Sequence, residues 1–271
     1  MPEIGASGST RLTVVGSGDA FGDCGCNAAY LVDERVLIDC GAPVQALLPR
    51  AGMSVTAIDI VLITHFHADH TYMLPMLLGA RAFAGELRPA LTIAGPPGTR
   101  EYVLRLLATG YGHHLLQLIQ ERLQLRWVVL QDGASADVEG YTLRANAVLH
   151  STGPSLAYTV QRGQAAVIGF SGDSSLCPGL RRTIASADVM VCECTGWDGP
   201  IEGGHLWRGE LESLIAEYPG TRFVLSHLRR RGAVAGALVA HDLLSIDVSD
   251  PARGSGSGLG SVGTAGQARR E

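Results

Sequence analysis

Residues 64–70 read Thr-His-Phe-His-Ala-Asp-His, which puts four metal-ligand side chains, His65, His67, Asp69 and His70, within six positions. The cluster follows directly on the apolar run Ile58-Asp-Ile-Val-Leu-Ile63. A strand ending there carries imidazoles and a carboxylate out at one sheet end, where a cation can reach them together. Borderline-soft divalent metals take this mixture of imidazole nitrogen and carboxylate oxygen. A metal held in this way lowers the pKa of bound water to about 7, so hydroxide becomes available without a strong base.

Three more ligand-type residues each follow a short apolar run: His150 in Ala-Val-Leu-His-Ser, Asp173 in Gly-Phe-Ser-Gly-Asp-Ser and His227 in Phe-Val-Leu-Ser-His-Leu. The pattern His-x-His-x-Asp-His after a hydrophobic strand resembles the signature of the metallo-β-lactamase superfamily, whose third His, bridging Asp and final His these three match in order. Leu37-Ile-Asp-Cys-Gly41 resembles that superfamily's early strand, whose Asp (here Asp39) supports the ligands from behind. The resemblance covers about residues 12–248. It implies an α/β fold: a four-layer αββα sandwich of two mixed sheets flanked by helices. It also implies two divalent metal ions, zinc first, with manganese or iron as alternatives. His65, His67 and His150 would hold one metal, Asp69, His70 and His227 the other, and Asp173 would bridge them. A hydroxide between the metals would be the nucleophile, oriented by Asp69. His67 stands where the oxygen-reducing di-iron members carry a carboxylate, which favours hydrolysis over redox chemistry.

Within the superfamily, His150-Ser-Thr-Gly-Pro-Ser-Leu-Ala-Tyr158 resembles a stretch of ribonuclease Z and its relatives, as do Gly95-Pro-Pro-Gly98, Ser171-Gly-Asp173 and Glu193 in Cys-Glu-Cys-Thr. Gly204-His205 lies before His227 at the spacing of a Gly-His pair in that group. The likeness implies a proton relay in which Glu193 holds the imidazole and His205 donates to the leaving alkoxide; the alternative is a loop histidine without a role. Glu193 alternates with Cys192 and Cys194 on an apolar run, so its burial demands a cation, imidazole or metal nearby. One feature of ribonuclease Z is missing. There, the segment between the third His and the bridging Asp carries a long arm that grips tRNA; here the stretch from His150 to Asp173 is too short for a strand pair plus an arm. The expected substrate is therefore a small-molecule ester rather than tRNA. The leading expectation is a phosphodiesterase acting on a small phosphodiester such as a cyclic nucleotide. A sulfatase, lactonase, thioesterase or β-lactamase-type hydrolase with the same metal centre is the alternative, and a metal-binding module without turnover is a third reading.

The rest of the chain agrees with a single catalytic domain. Its 271 residues are 46% hydrophobic, enough for one large core over 1–250. A net charge of −5 with 17% charged residues offers no general basic face for nucleic acid. The N-terminus has neither the basic nor the apolar region of a signal peptide, and no apolar run is long enough to span a membrane, so a cytoplasmic protein is expected. The six cysteines are then expected as thiols. Cys24 and Cys26 lie in a Gly-rich loop and are read either as small loop residues or as thiols near the metals. The Gly-rich turn Gly16-Ser-Gly-Asp-Ala-Phe-Gly22 has no following Lys or GxGxxG pattern, which excludes a nucleotide fingerprint. Apolar runs predict strands near 11–15, 28–32, 36–39, 58–63, 91–94, 127–130, 141–145, 157–161, 165–171, 189–194 and 223–226, with helices near 43–51, 115–123, 179–185 and 207–217 and another opening at Pro96. The substrate pocket is expected from loops 72–90 and 108–118. His113 and His114, in a Tyr-Gly-His-His turn, and His241 are left without a catalytic role. Residues 251–271, dominated by Gly and Ser, are read as a flexible tail. A homodimer, common in such enzymes, stays an open expectation.

Overall fold

Most of the apolar runs become strands buried on both faces. In a computed structural model, which describes residues 9–85 and 90–249, the first half of the chain gives β1 (Ser9–Gly16), β2 (Ala29–Val32), β3 (Val36–Ile38), α1 (Val44–Arg50), β4 (Ile60–Leu62), α2 (Ala68–Thr71), α3 (Leu74–Ala82), β5 (Ala90–Gly95), α4 (Thr99–Arg122) and β6 (Gln124–Val129). The second half gives β7 (Ser135–Val138), β8 (Tyr141–Val148), β9 (Ser155–Arg162), β10 (Ile168–Phe170), α5 (Pro178–Ala185), β11 (Val189–Glu193), α6 (Arg208–Glu217), β12 (Arg222–Ser226), β13 (Ala237–Val239) and β14 (Leu244–Ser249). Two seven-stranded sheets result, ordered β14-β1-β2-β3-β4-β5-β6 and β13-β12-β11-β10-β9-β8-β7. Both are mixed, with antiparallel pairs at one side and a parallel run at the other.

The period-2 alternation of strand side chains explains the four layers. In β4, Ile60 and Leu62 join the core between the sheets, while Val61 faces α1, α3 and α4 together with Leu48, Leu78 and Leu107. In the other sheet, Val189 and Val191 of β11 point inward, whereas Met190 and Cys192 pack with Leu180 of α5 and Leu211 of α6. Each fully buried aliphatic side chain contributes about 1.5–3 kcal/mol relative to exposure. The result is the expected αββα sandwich.

The topology also gathers the chemistry. Strands β3 and β4 are parallel, so Asp39 and the heptad leave the sheet side by side. In the other sheet β10, β11 and β12 are parallel, and β8, two antiparallel steps from β10, runs the same way. His150, Asp173, Glu193 and His227 therefore all emerge at one end. The interval from His150 to Asp173 is taken up by the antiparallel β9–β10 pair and the connection 163–167, and no arm is inserted there.

Several expectations need revising. Residues 74–82 form helix α3 rather than a pocket loop, with Pro75 in its first turn, where a missing N–H costs nothing. Residues 108–118 are helical on either side of Gly112, whose φ of 72° and ψ of 170° break α4 into two helices, so the expected turn at Tyr-Gly-His-His between two helices is present but a pocket loop over 108–118 is not. The short strands β7, β13 and β14 were not expected. The expected flexible tail, 251–271, lies outside the described residues, and no described helix is long and apolar enough to cross a membrane.

Candidate metal centre

The heptad leaves β4 and turns at once into the single helical turn of α2. His65 comes from the strand end, His67 flanks the helix, and Asp69 and His70 lie within it. Gly41 permits the close approach this requires: a Cβ at that position would sit 1.6 Å from the Asp69 carbonyl oxygen. Asp39 and His227 adopt left-handed backbone, with φ of 57° and 53°. Such a conformation costs a non-glycine residue about 1–2 kcal/mol and persists where surrounding contacts over-determine it.

Three groups of potential ligand atoms share Asp173, each with its atoms within 4.8 Å of one another: the two expected sets, and a third in which Glu193, His205 and His227 join Asp173. In the first, His67 Nδ1 lies 3.2 Å from His65 Nε2 and 2.9 Å from His150 Nε2. Asp173 Oδ2 stands 3.8 Å from both of those Nε2 atoms. In the second, His227 Nε2 is 3.1 Å from Asp69 Oδ2 and 3.4 Å from Asp173 Oδ2, and His70 Nε2 is 3.6 Å from Asp69 Oδ2. All seven residues expected as ligands thus converge.

Hydroxyl, carboxylate and backbone carbonyl partners fix which ring nitrogen four of the imidazoles offer, while His67 faces the centre through Nδ1. The Thr64 hydroxyl donates to Asp39 Oδ2 at 2.8 Å, so toward His65 it can only accept, and the His65 Nδ1–H donates to it at 2.9 Å. His70 Nδ1–H donates to Asp39 Oδ2 at 2.7 Å, and His150 Nδ1–H donates to the Gly204 carbonyl at 3.1 Å. Thr195 repeats the device: its hydroxyl donates to Glu193 Oε2 at 2.6 Å and accepts from His227 Nδ1–H at 2.8 Å. In each case Nε2 is left to face the shared centre, the arrangement by which outer partners orient metal-binding histidines.

The atoms left over fit a metal. Asp173 is 2% exposed, and neither of its carboxylate oxygens has a hydrogen-bond partner; nor does His70 Nε2, which faces Asp173 Oδ1 at 3.3 Å without hydrogen-bond alignment. Burying a carboxylate without donors is costly, and a cation among these imidazole and carboxylate atoms removes that cost. The donor set suits divalent metals of the zinc type. Burial opposes ionisation of Asp173, but the charges of His227 and His70 outweigh it and hold the carboxyl well below its usual range. Burial, followed by repulsion from neighbouring imidazoles, keeps His65 and His67 toward the neutral, ligating form.

A second constellation adjoins the first. His205 Nδ1 lies 3.1 and 3.2 Å from the two oxygens of Glu193. Glu193 is 2% exposed and also accepts from Ser174 N at 2.7 Å. Burial works to lower the His205 pKa, but the hydrogen bond and charge of Glu193 prevail and push it up to about 9.

A family model described as the beta-lactamase superfamily domain matches residues 34–228, a span that includes both ligand sets. The chain belongs to that superfamily. It is a metal-dependent hydrolase. Among curated relatives, the Ribonuclease Z of Methanosarcina mazei is 25% identical over 309 aligned positions, covering 88% of this chain and 98% of that protein. Among solved structures, the metallo-β-lactamase fold protein YhfI from Bacillus subtilis superposes with a TM-score of 0.72 at 19% identity, covering 89% of this chain and 100% of the other. The short form of human tRNase Z gives 0.71 at 23% identity, with the same coverage. These two likenesses show the superfamily's fold.

The superfamily centre opens into a pocket of about 420 Å³, a size suited to a small ligand. Its floor is His67, Asp69, Asp173, His205 and His227; its walls include Asp19, Phe21, Tyr72, Met73 and Arg229. Neither His113 nor His114 lines it. Cys24 and Cys26 belong to neither ligand set. Cys24 donates to the Arg229 carbonyl at 3.2 Å, and burial with Asp242 alongside pushes the Cys26 thiol up to about 11. Tyr72 and Met73 come from the start of the expected pocket segment 72–90; the sequence reading missed Thr64 and Thr195, whose only signal is nearness to His65 or to Glu193, and the wall residues Asp19, Phe21 and Arg229, which carry no motif. Asp39→Asn is expected to weaken metal binding about 10- to 100-fold, measured by competition with a chromogenic chelator. Unchanged affinity would show that its hydrogen bonds to Thr64 and His70 do not orient the ligands.

Proposed function

We propose that this hydrolase cleaves a small phosphodiester, such as a cyclic nucleotide, using a dinuclear centre. His65, His67 and His150 would hold one cation and Asp69, His70 and His227 the other, with Asp173 common to both sets. Two divalent cations, zinc first with manganese or iron as alternatives, would lower the pKa of water to about 7 and neutralise charge developing on the phosphoryl oxygens. Asp69, on the pocket floor, orients the attacking water and takes up its proton. His205 is the observation that carries the reading. Its Nδ1 is committed to Glu193, its ring lines the pocket, and Nε2 is therefore the atom that gives a proton to a leaving alkoxide. Glu193 is the positioning residue of this pair. The name of the curated relatives counts toward an RNA end as substrate, whereas the absence of an inserted arm between β9 and β10 and the net charge of −5 count toward a smaller one.

The test is hydrolysis of bis(p-nitrophenyl) phosphate by metal-loaded protein, with p-nitrophenyl sulfate, a chromogenic lactone, a thioester and a chromogenic lactam in parallel. Chelator-sensitive turnover of the phosphodiester is expected, at a rate well above that of the other esters. Turnover of one of the others with a silent phosphodiester would transfer the centre to sulfatase, lactonase, thioesterase or β-lactamase-type chemistry.

A further inference from the structure

Phe21 is 91% exposed, the largest exposure among the big hydrophobic side chains of the described residues. An exposed Phe on a loose loop would mean little, but this loop is held at many points. Asp19 Oδ1 accepts from Gly22 N at 2.7 Å, Asp19 Oδ2 accepts from Arg229 Nε at 2.8 Å, and the Asn27 amide donates to the Asp19 carbonyl at 2.8 Å. The base of the loop is closed by Gly18 N donating to the Cys26 carbonyl at 2.8 Å and by Cys26 N donating to Asp242 Oδ2, also at 2.8 Å. The ring is therefore presented to solvent on a stiff support, at the wall of the metal pocket. Tyr72, 57% exposed, lines the same pocket from the residue that ends α2, with Met73 beside it. Arg229, pinned by Asp19, adds a cation to that wall.

We propose that Phe21 and Tyr72 grip a flat aromatic ring of the substrate, an aryl group or a nucleobase, while its phosphoryl group reaches the metal centre past Arg229. Exposed aromatics on rigid backbone lose little entropy on binding. Stacking a base on one aromatic ring changes affinity by roughly 5- to 150-fold, which makes these two residues specificity determinants. The assignment rests on the phosphodiester reading above for the phosphoryl end, but the ring site has its own readout.

The experiment is calorimetric binding of three phosphate monoesters to metal-loaded protein: thymidine 5′-monophosphate, phenyl phosphate and 2-deoxyribose 5-phosphate. Wild type should bind one or both ring-bearing ligands at least about fivefold more tightly than the sugar phosphate; which of them gains separates a base from a simple aryl group. Phe21→Ala and Tyr72→Ala should each remove most of that advantage. Both are exposed positions, where substitutions ordinarily leave stability little changed. Equal affinity of wild type for all three ligands, or an advantage that survives in both variants, would overturn the assignment. Ring-dependent binding without turnover of any phosphodiester would leave the clamp standing and remove the proposed reaction instead.

Discussion

Asp173→Asn will lower hydrolysis by roughly 10³-fold or more and will cut the bound metal to below about half the wild-type content. Asp173 is the one residue common to both ligand sets, standing 3.8 Å from His65 and His150 and 3.3 and 3.4 Å from His70 and His227. Asn has the same shape but carries no charge and offers one acceptor oxygen instead of two, so the two sets cannot both keep a full complement of donors. The substitution separates loss of metal from loss of fold through thermal unfolding. A metal at about 100 times its Kd stabilises the folded state by about 2.7 kcal/mol, which for a domain of this size raises Tm by about 5–11 °C. Wild type should show that rise on loading, and the variant should lose most of it while still unfolding cooperatively in chelator. A variant that keeps full metal content and activity would show that the two sets do not meet at Asp173.

The convergence of the seven expected residues was legible because metal chemistry needs rare side chains at high local density, and because a strand end is a cheap place to gather them. His65, His67, Asp69 and His70 declare themselves within one heptad; His150, Asp173 and His227 each follow an apolar run that becomes β8, β10 or β12. The sandwich was legible for a related reason, since strands buried on both faces read as continuous apolar runs. What escaped depends on partners distant in sequence. Thr64 is one hydroxyl among many until Asp39, 25 positions away, accepts from it, and Thr195 gains meaning only when His227, 32 positions away, arrives beside it. Helix α3 was hidden by Pro75 and Gly79, which look like breakers unless the proline is known to start the helix. The strands β7, β13 and β14 are short or partly polar, and pairing with β8, β12 and β1 makes them strands rather than any strong pattern of their own.

His205→Ala will separate substrates by their leaving groups. General-acid assistance contributes about 10²- to 10⁴-fold where the departing oxygen needs a proton, so an alkyl phosphodiester should lose activity in that range. A p-nitrophenyl ester expels a stable phenolate and should lose far less. The comparison cancels effects on metal loading and on folding, since both substrates meet the same protein. Equal losses on the two would remove the relay and leave His205 as a residue of the pocket floor with no proton to give. Glu193→Gln should follow the same leaving-group pattern, because the amide no longer holds His205 Nδ1–H with a full charge at 3.1 Å. It should also weaken the metal centre, since Glu193 Oε2 accepts from the Thr195 hydroxyl that in turn faces His227 Nδ1. One buried carboxylate thus reaches both imidazoles, His205 directly and His227 through Thr195. The two roles come apart experimentally: metal content should fall in Glu193→Gln and hold in His205→Ala, while leaving-group dependence should steepen in both.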